Sequence, residues 1–130
     1  MNKQDILIDL LQTPSPSGKE SAIIDKVETY LEDFVDEVKR DAYGNLIAFK
    51  RGTSSKKLML SAHADEVGMM ITYIDNNGFI YFQEIGGIDT NLLPGQKVEI
   101  HNHQGIVHGV IGKKPIHLQD RDAKAKDYDA

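Results

Sequence analysis

Cysteine is missing from this sequence, and with it go disulfide scaffolds and every thiolate metal site. Surplus positive charge is missing too: fifteen Lys and Arg stand against twenty Asp and Glu, a formal charge of −5. An acidic chain meets an anionic phosphate backbone or lipid surface unfavourably. No basic run with interleaved aromatics offsets that charge, so neither nucleic acid nor membrane is expected as a partner. No stretch approaches the roughly 20 apolar residues that span a bilayer. The opening "MNKQDILIDLLQ" sets two aspartates inside its apolar pattern and lacks a small-residue cleavage site. It reads as an amphipathic helix rather than a signal peptide. Internal repeats and low-complexity tracts are absent. What remains is 130 residues, one domain's worth, with the 40% hydrophobic content that a real core requires. A soluble cytoplasmic setting is the expectation.

Periodicity divides the chain in two. Ile6, Leu7, Leu10 and Leu11 recur at helical spacing until "TPSPSG" stops the helix. Ser17, with Glu20 three residues on, has the form of a capping box. It predicts a second helix over residues 19–34 whose stripe is Ile23, Val27, Tyr30, Leu31 and Phe34. "VDEVKR" and "NLIAFK" then read as short strands joined through "DAYGN". After a "TSSK" turn, "KLMLSA" reads as a strand apolar on both faces, the kind found inside a covered sheet. This first block is an α/β beginning. From residue 68 the strand candidates "MMITYI", "FIYFQEI", "QKVEIH" and "GIVHGVIG" follow with no helix between them. "DNNG" forms a hairpin between the first two. A small antiparallel barrel or sandwich is expected there, with a boundary between residues 1–67 and 68–130. The charged end "QDRDAKAKDYDA", residues 119–130, suits a helix start or a solvated tail equally.

Chemistry concentrates in "SAHADEVGMM", residues 61–70. If the preceding strand continues, His63 and Asp65 share one of its faces. Imidazole is a good ligand for zinc or cobalt, and a ligating histidine normally gives its other ring N–H to a carboxylate. The carboxyl edge of an open α/β sheet is where such folds place ligands, and Ala62 and Ala64 leave room. His-x-Asp by itself is a common pattern, and an isolated instance is usually a satisfied strand-end histidine. The apolar run before it argues against an ordinary exposed edge. His101 and His103 flank a turn, His108 alternates in a strand pattern, and His117 follows a Lys-Lys-Pro loop. With no carboxylate at useful spacing, none of these four is assigned a ligand role.

The longer string "SAHADEVGMMI" resembles the first metal-ligand segment of the tetrahedral, or TET, dinuclear metallo-aminopeptidases. That family includes glutamyl and deblocking aminopeptidases and members labelled cellulase M. The likeness extends in order along nearly the whole chain, through "TPSPSGKE", "DAYGNLIA", "GFIYFQEIGGID", "PGQKVEIH" and "GVIGKKPIH". Ile116 departs from it, standing where the family commonly has a second proline, away from the metal site. The resemblance implies an α/β peptidase domain interrupted by an antiparallel β-barrel insert that serves in dimer and higher assembly, up to a tetrahedral dodecamer. It implies that His63 is a terminal ligand to one of two divalent ions, zinc or cobalt, and that Asp65 is the catalytic carboxylate that orients it. It leaves Glu66 without a role.

The implied activity is removal of amino-terminal residues from peptides. The family's remaining ligands and its general-base glutamate come from the later catalytic domain, after the barrel. The expectation is therefore an amino-terminal portion with an incomplete barrel, inactive alone. A non-catalytic oligomerisation module is the alternative, since open strand edges associate. Glycan hydrolysis would need two suitably placed acids, and the sequence does not supply them.

Overall fold

The structure is a computed structural model that describes residues 2–113. Its secondary structure consists of two helices and three antiparallel hairpins, none of which shares a sheet with another. By contacts it divides into one unit ending at Ile88, which holds two of the hairpins, and another beginning at Asp89, which holds the third.

In the first unit, helix α1 (Lys3–Leu11) opens on a reciprocal cap. Asp5 N–H donates to the Asn2 side chain at 2.9 Å, and Asn2 N–H donates to the Asp5 carboxylate at 3.1 Å. Helix α2 (Ser21–Leu31) is held against it by Asp9, whose carboxylate accepts from Lys26 Nζ and Tyr30 Oη, both at 2.6 Å. Ile23 on α2 is the single buried apolar side chain among the described residues. Val27, Tyr30 and Leu31 are half-buried along the same stripe, whereas Phe34 lies beyond the helix and is exposed. Strands β1 (Glu37–Arg40) and β2 (Leu46–Phe49) pair in register from Glu37↔Phe49 to Arg40↔Leu46. Arg40 ties this hairpin to α2 through Asp25, at 2.7 Å, and Glu28.

Strands β3 (Gly68–Ile74) and β4 (Ile80–Ile85) form the second hairpin, with Thr72 left unpaired between Ile71 and Tyr73. Both hairpin loops of this unit use one device. An aspartate accepts two backbone N–H bonds at the loop entrance, Asp41 from Tyr43 and Asn45 and Asp75 from Asn77 and Phe79. A glycine with φ of 87° or 84° then closes each loop. The positive φ in "DNNG" falls on Gly78 and not on an asparagine. In the second unit a 3₁₀ turn (Thr90–Leu92) leads to β5 (Lys97–Asn102) and β6 (Gly105–Val110), paired throughout.

Two expectations are corrected. "KLMLSA" enters no sheet: Leu58, Met59 and Leu60 are 87%, 86% and 88% exposed. A strand apolar on both faces needs a neighbour along each edge and a layer on each side, and the described residues offer none. The second helix starts at Ser21 rather than residue 19, because Ser17 does not cap it. Glu20 is the N-cap residue and makes no side-chain cap bond. The stretch from residue 68 forms two separate antiparallel hairpins among the described residues. His117 and the charged end lie outside the described residues.

One contact in the first unit is unusually close. A Cβ on Gly68 would stand 2.7 Å from Pro16 Cβ, nearer than two carbons can sit. Gly68→Ala is therefore expected to destabilise the chain by about 1–3 kcal/mol, as overpacking does. Gly52→Ala is the control, since nothing lies within 4 Å of where its methyl group would stand and its φ is not positive. Urea midpoints of the two variants would check this.

Candidate metal-binding site

Pro16 and Glu66 form an isolated parallel bridge, with Glu66 N–H donating to Ser15 O at 2.9 Å and Ser17 N–H to Glu66 O at 3.3 Å. The bridge lays residues 15–17 against residues 63–66. Glu66 adds a side-chain tie, its Oε1 accepting from Ser15 N–H at 2.8 Å. Thr13 and Ser15 are buried at the base of this seam. Just beyond, Lys19 N–H donates to Pro16 O at 2.8 Å and Gly18 takes a φ of 88°. A turn with positive φ at its third residue suits glycine, and here it fixes the direction of Ser17.

Ser17 Oγ–H donates to Asp65 Oδ2 at 2.6 Å. The other carboxylate oxygen, Oδ1, lies 3.0 Å from His63 Nδ1, and the backbone carbonyl of Asp65 lies at 3.0 Å from the same nitrogen. Carbonyl and carboxylate oxygens accept only, so Nδ1 carries a proton, and in the neutral ring Nε2 holds the free lone pair. The His63 side chain is 86% exposed, and Asp65 is 39% exposed. The result is an imidazole held from behind through Nδ1, with the ring largely open to solvent.

The Ser17 hydroxyl and then the His63 ring hold the Asp65 carboxyl below the usual aspartate range, against a smaller opposing effect of desolvation. A carboxyl whose pKa is depressed by folding favours the fold while ionised. That contribution is complete above the unfolded aspartate pKa and is lost as pH falls through the folded value. Asp65 is therefore expected to titrate below about 3.9, the ordinary aspartate value, in a carboxyl ¹³C NMR series. The acid limb of the stability profile should fall in the same interval, where Asp9 and Asp41 are held low by their own hydrogen bonds.

His63 and Asp65 thus meet, though not on a strand at a sheet edge: both lie in irregular chain, and the neighbouring loop holds them. Sequence reasoning missed Ser15 and Ser17, whose partners lie 51 and 48 residues away. The absence of a useful carboxylate near the other histidines also needs correcting. His101 lies within β5, and its Nε2 is 3.4 Å from Glu99 Oε2, two residues back on the same strand face. Among the described residues, no three His, Asp or Glu side chains converge on one point.

A family model described as M42 glutamyl aminopeptidase matches residues 44–130. The chain belongs to the M42 glutamyl aminopeptidase family. The matched stretch includes His63, Asp65 and Glu66 and leaves out Ser15 and Ser17. This M42 chain is 38% identical over 121 residues to the lysyl aminopeptidase of Pyrococcus furiosus, covering 92% of the chain and 34% of that relative. Its fold matches the crystal structure of a TET aminopeptidase from a marine-sediment Thaumarchaeota archaeon. There the TM-score is 0.87 at 30% identity, over 95% of this chain and 35% of the other. It also matches a Pyrococcus horikoshii TET1 peptidase whose structure is described as assembling into a tetrahedron or a large octahedral shell. That match has a TM-score of 0.76 at 38% identity, over 90% of this chain and 35% of the other. The M42 chain spans about a third of the length of these relatives. Among the described residues, no helix is long and apolar enough to cross a membrane.

Proposed function

We propose that this chain supplies one metal ligand and its orienting carboxylate to a metallo-aminopeptidase that removes amino-terminal residues from peptides. The observation that carries the reading is the His63–Asp65 pair. Nδ1 is committed to two acceptors, which in the neutral ring leaves the Nε2 lone pair free on a largely exposed side chain. That donor set fits zinc or cobalt, both of which accept imidazole nitrogen. His63 would hold the ion through Nε2. Asp65 raises the basicity of the ring, fixes its tautomer and keeps its plane from turning. A pair of divalent ions, when bound, polarises a scissile carbonyl and lowers the pKa of the attacking water.

A catalytic ion takes about three protein ligands, and the described residues offer one. The reading therefore assigns the other ligands to sequence that the relatives carry and this chain does not match. It also takes residues 68–130 as part of a β-barrel insert domain and the assembled enzyme as a homo-oligomer, supported by the named assemblies of the structural relatives.

A chimera tests the reading. This chain replaces the matched third of the Pyrococcus furiosus lysyl aminopeptidase, and hydrolysis of aminoacyl-nitroanilides is measured with added Co²⁺ or Zn²⁺. The chimera is expected to turn over and the 130-residue chain alone to give the buffer rate. Robust turnover by the isolated chain, or a folded chimera inert towards every aminoacyl substrate, would overturn the proposal.

A further inference from the structure

We propose that Ser17 is a positioning residue of this site and that Glu66 acts as the clamp that holds Ser17 in place. This inference rests on the reading of His63 as a cation ligand. It adds residues outside the matched family stretch and gives Glu66 a task.

Asp65 can orient His63 only if its own carboxylate is fixed. The side chain is partly exposed and turns about two bonds, so one hydrogen bond to a solvent-facing ring cannot set its plane. The second oxygen must be held as well. Ser17 Oγ does this at 2.6 Å, the shortest of the hydrogen bonds around the pair. Two acceptor oxygens with two donors, one at each end, define the carboxylate plane and therefore the ring behind it.

Ser17 in turn has to be delivered from 48 residues away. Glu66 delivers it with both its parts. Its backbone makes the parallel bridge to Pro16, and its carboxylate receives Ser15 N–H at 2.8 Å, an amide of a residue 5% exposed. A buried amide left unpaired is costly, so this bond pins the loop. One oxygen of the Glu66 carboxylate is thereby engaged by the loop. Gly18, turning the chain with a φ of 88°, completes the delivery. The order of support runs from Glu66 to the 15–17 loop, to Ser17, to Asp65, to the His63 tautomer.

The tautomer itself is the readout. In the ¹⁵N-labelled, metal-free 130-residue chain at alkaline pH, His63 should show a protonated Nδ1 and a bare Nε2. Ser17→Val and Ser17→Thr share a branched shape and differ in the hydroxyl. Threonine is expected to keep the wild-type pattern, and valine to lose it in favour of averaged nitrogen shifts. Glu66→Ala should reproduce the loss, while Glu66→Gln, which keeps an oxygen for Ser15 N–H, should not. Wild-type shifts in Ser17→Val and Glu66→Ala, with the β1–β2 amide signals intact, would overturn the positioning role. So would loss of the pattern in Ser17→Thr.

A second arm adds Co²⁺ and follows paramagnetic broadening of the His63 ring. Ser17→Val is expected to shift the half-point about 10-fold to higher Co²⁺, the cost typical of a lost outer partner. A half-point unmoved in Ser17→Val would count against the positioning role. If His63 stays sharp while other histidines broaden, the metal reading fails, and the tautomer result still judges Ser17 and Glu66 separately.

Discussion

Replacing His63 by alanine in the chimeric enzyme is expected to abolish aminopeptidase turnover, with kcat/KM falling at least about 10³-fold. The magnitude follows from what the ring alone supplies. Beyond the Asp65 carboxylate that orients it, no third His, Asp or Glu side chain converges on it among the described residues, so no ready cluster takes its place. The loss of an ion from a two-metal centre removes both carbonyl polarisation and the activated water, each worth several kcal/mol. About 4 kcal/mol is already 10³-fold. Stability should hardly change, since the side chain is 86% exposed and its two hydrogen bonds both go to the adjacent Asp65. Activity and bound-metal content should fall together while the thermal midpoint stays put. A variant that keeps its metal but loses activity would assign His63 a different task.

The second large effect is expected from Asp65→Asn. The amide is nearly the same size, so packing and the Ser17 contact can persist, but the charge is gone. One end of the amide is now a donor. If its NH₂ turns to His63, Nδ1 must accept, the proton moves to Nε2, and the ligating lone pair is lost. Loss of such an outer partner costs about 10- to 100-fold in metal affinity. Where an Asn replaced the Asp of a serine-protease triad, the wrong tautomer cost about 10⁴ in kcat. Metal titration by competition with a chelator should therefore show weaker binding in Asp65→Asn, with kcat depressed even at saturating metal. Unchanged affinity and kcat would mean that the carboxylate does not control the ring.

Much of this site could be read along the chain, and the limits have physical causes. His63 and Asp65 are two residues apart, so any extended or turning backbone brings them close. Their pairing was legible without knowing the fold. The hairpin loops were legible for the same reason, because Asp41–Gly44 and Asp75–Gly78 carry their turn chemistry locally. Ser17 shows the opposite case. Its spacing to Glu20 fits a cap, yet its hydroxyl is taken by Asp65, and that competition is decided by a contact spanning 48 residues. His101 and Glu99 were readable in principle, as i and i+2 on one strand face. His101 closes the strand candidate "QKVEIH" beside the turn, and its carboxylate partner two residues back was not credited.

"KLMLSA" is the most informative difference. Its composition asks for a covered central strand, yet Leu58, Met59 and Leu60 stand exposed outside any sheet. Composition records the environment a segment requires, not whether the described residues can provide it. The placement of the composition change has a similar explanation. Strand character starts at Gly68, whereas the compact units part after Ile88. The seam of residues 15–17 against 63–66 leads directly into β3, and Pro16 touches the start of that strand.

The central claim concerns one nitrogen atom. Anomalous scattering from a Zn²⁺-loaded crystal of the chimeric enzyme tests it most directly. The account predicts an ion about 2.0–2.1 Å from His63 Nε2, with Nδ1 still facing Asp65. An ion bound elsewhere with His63 unliganded, or one sitting on Nδ1 with Asp65 displaced, would contradict it.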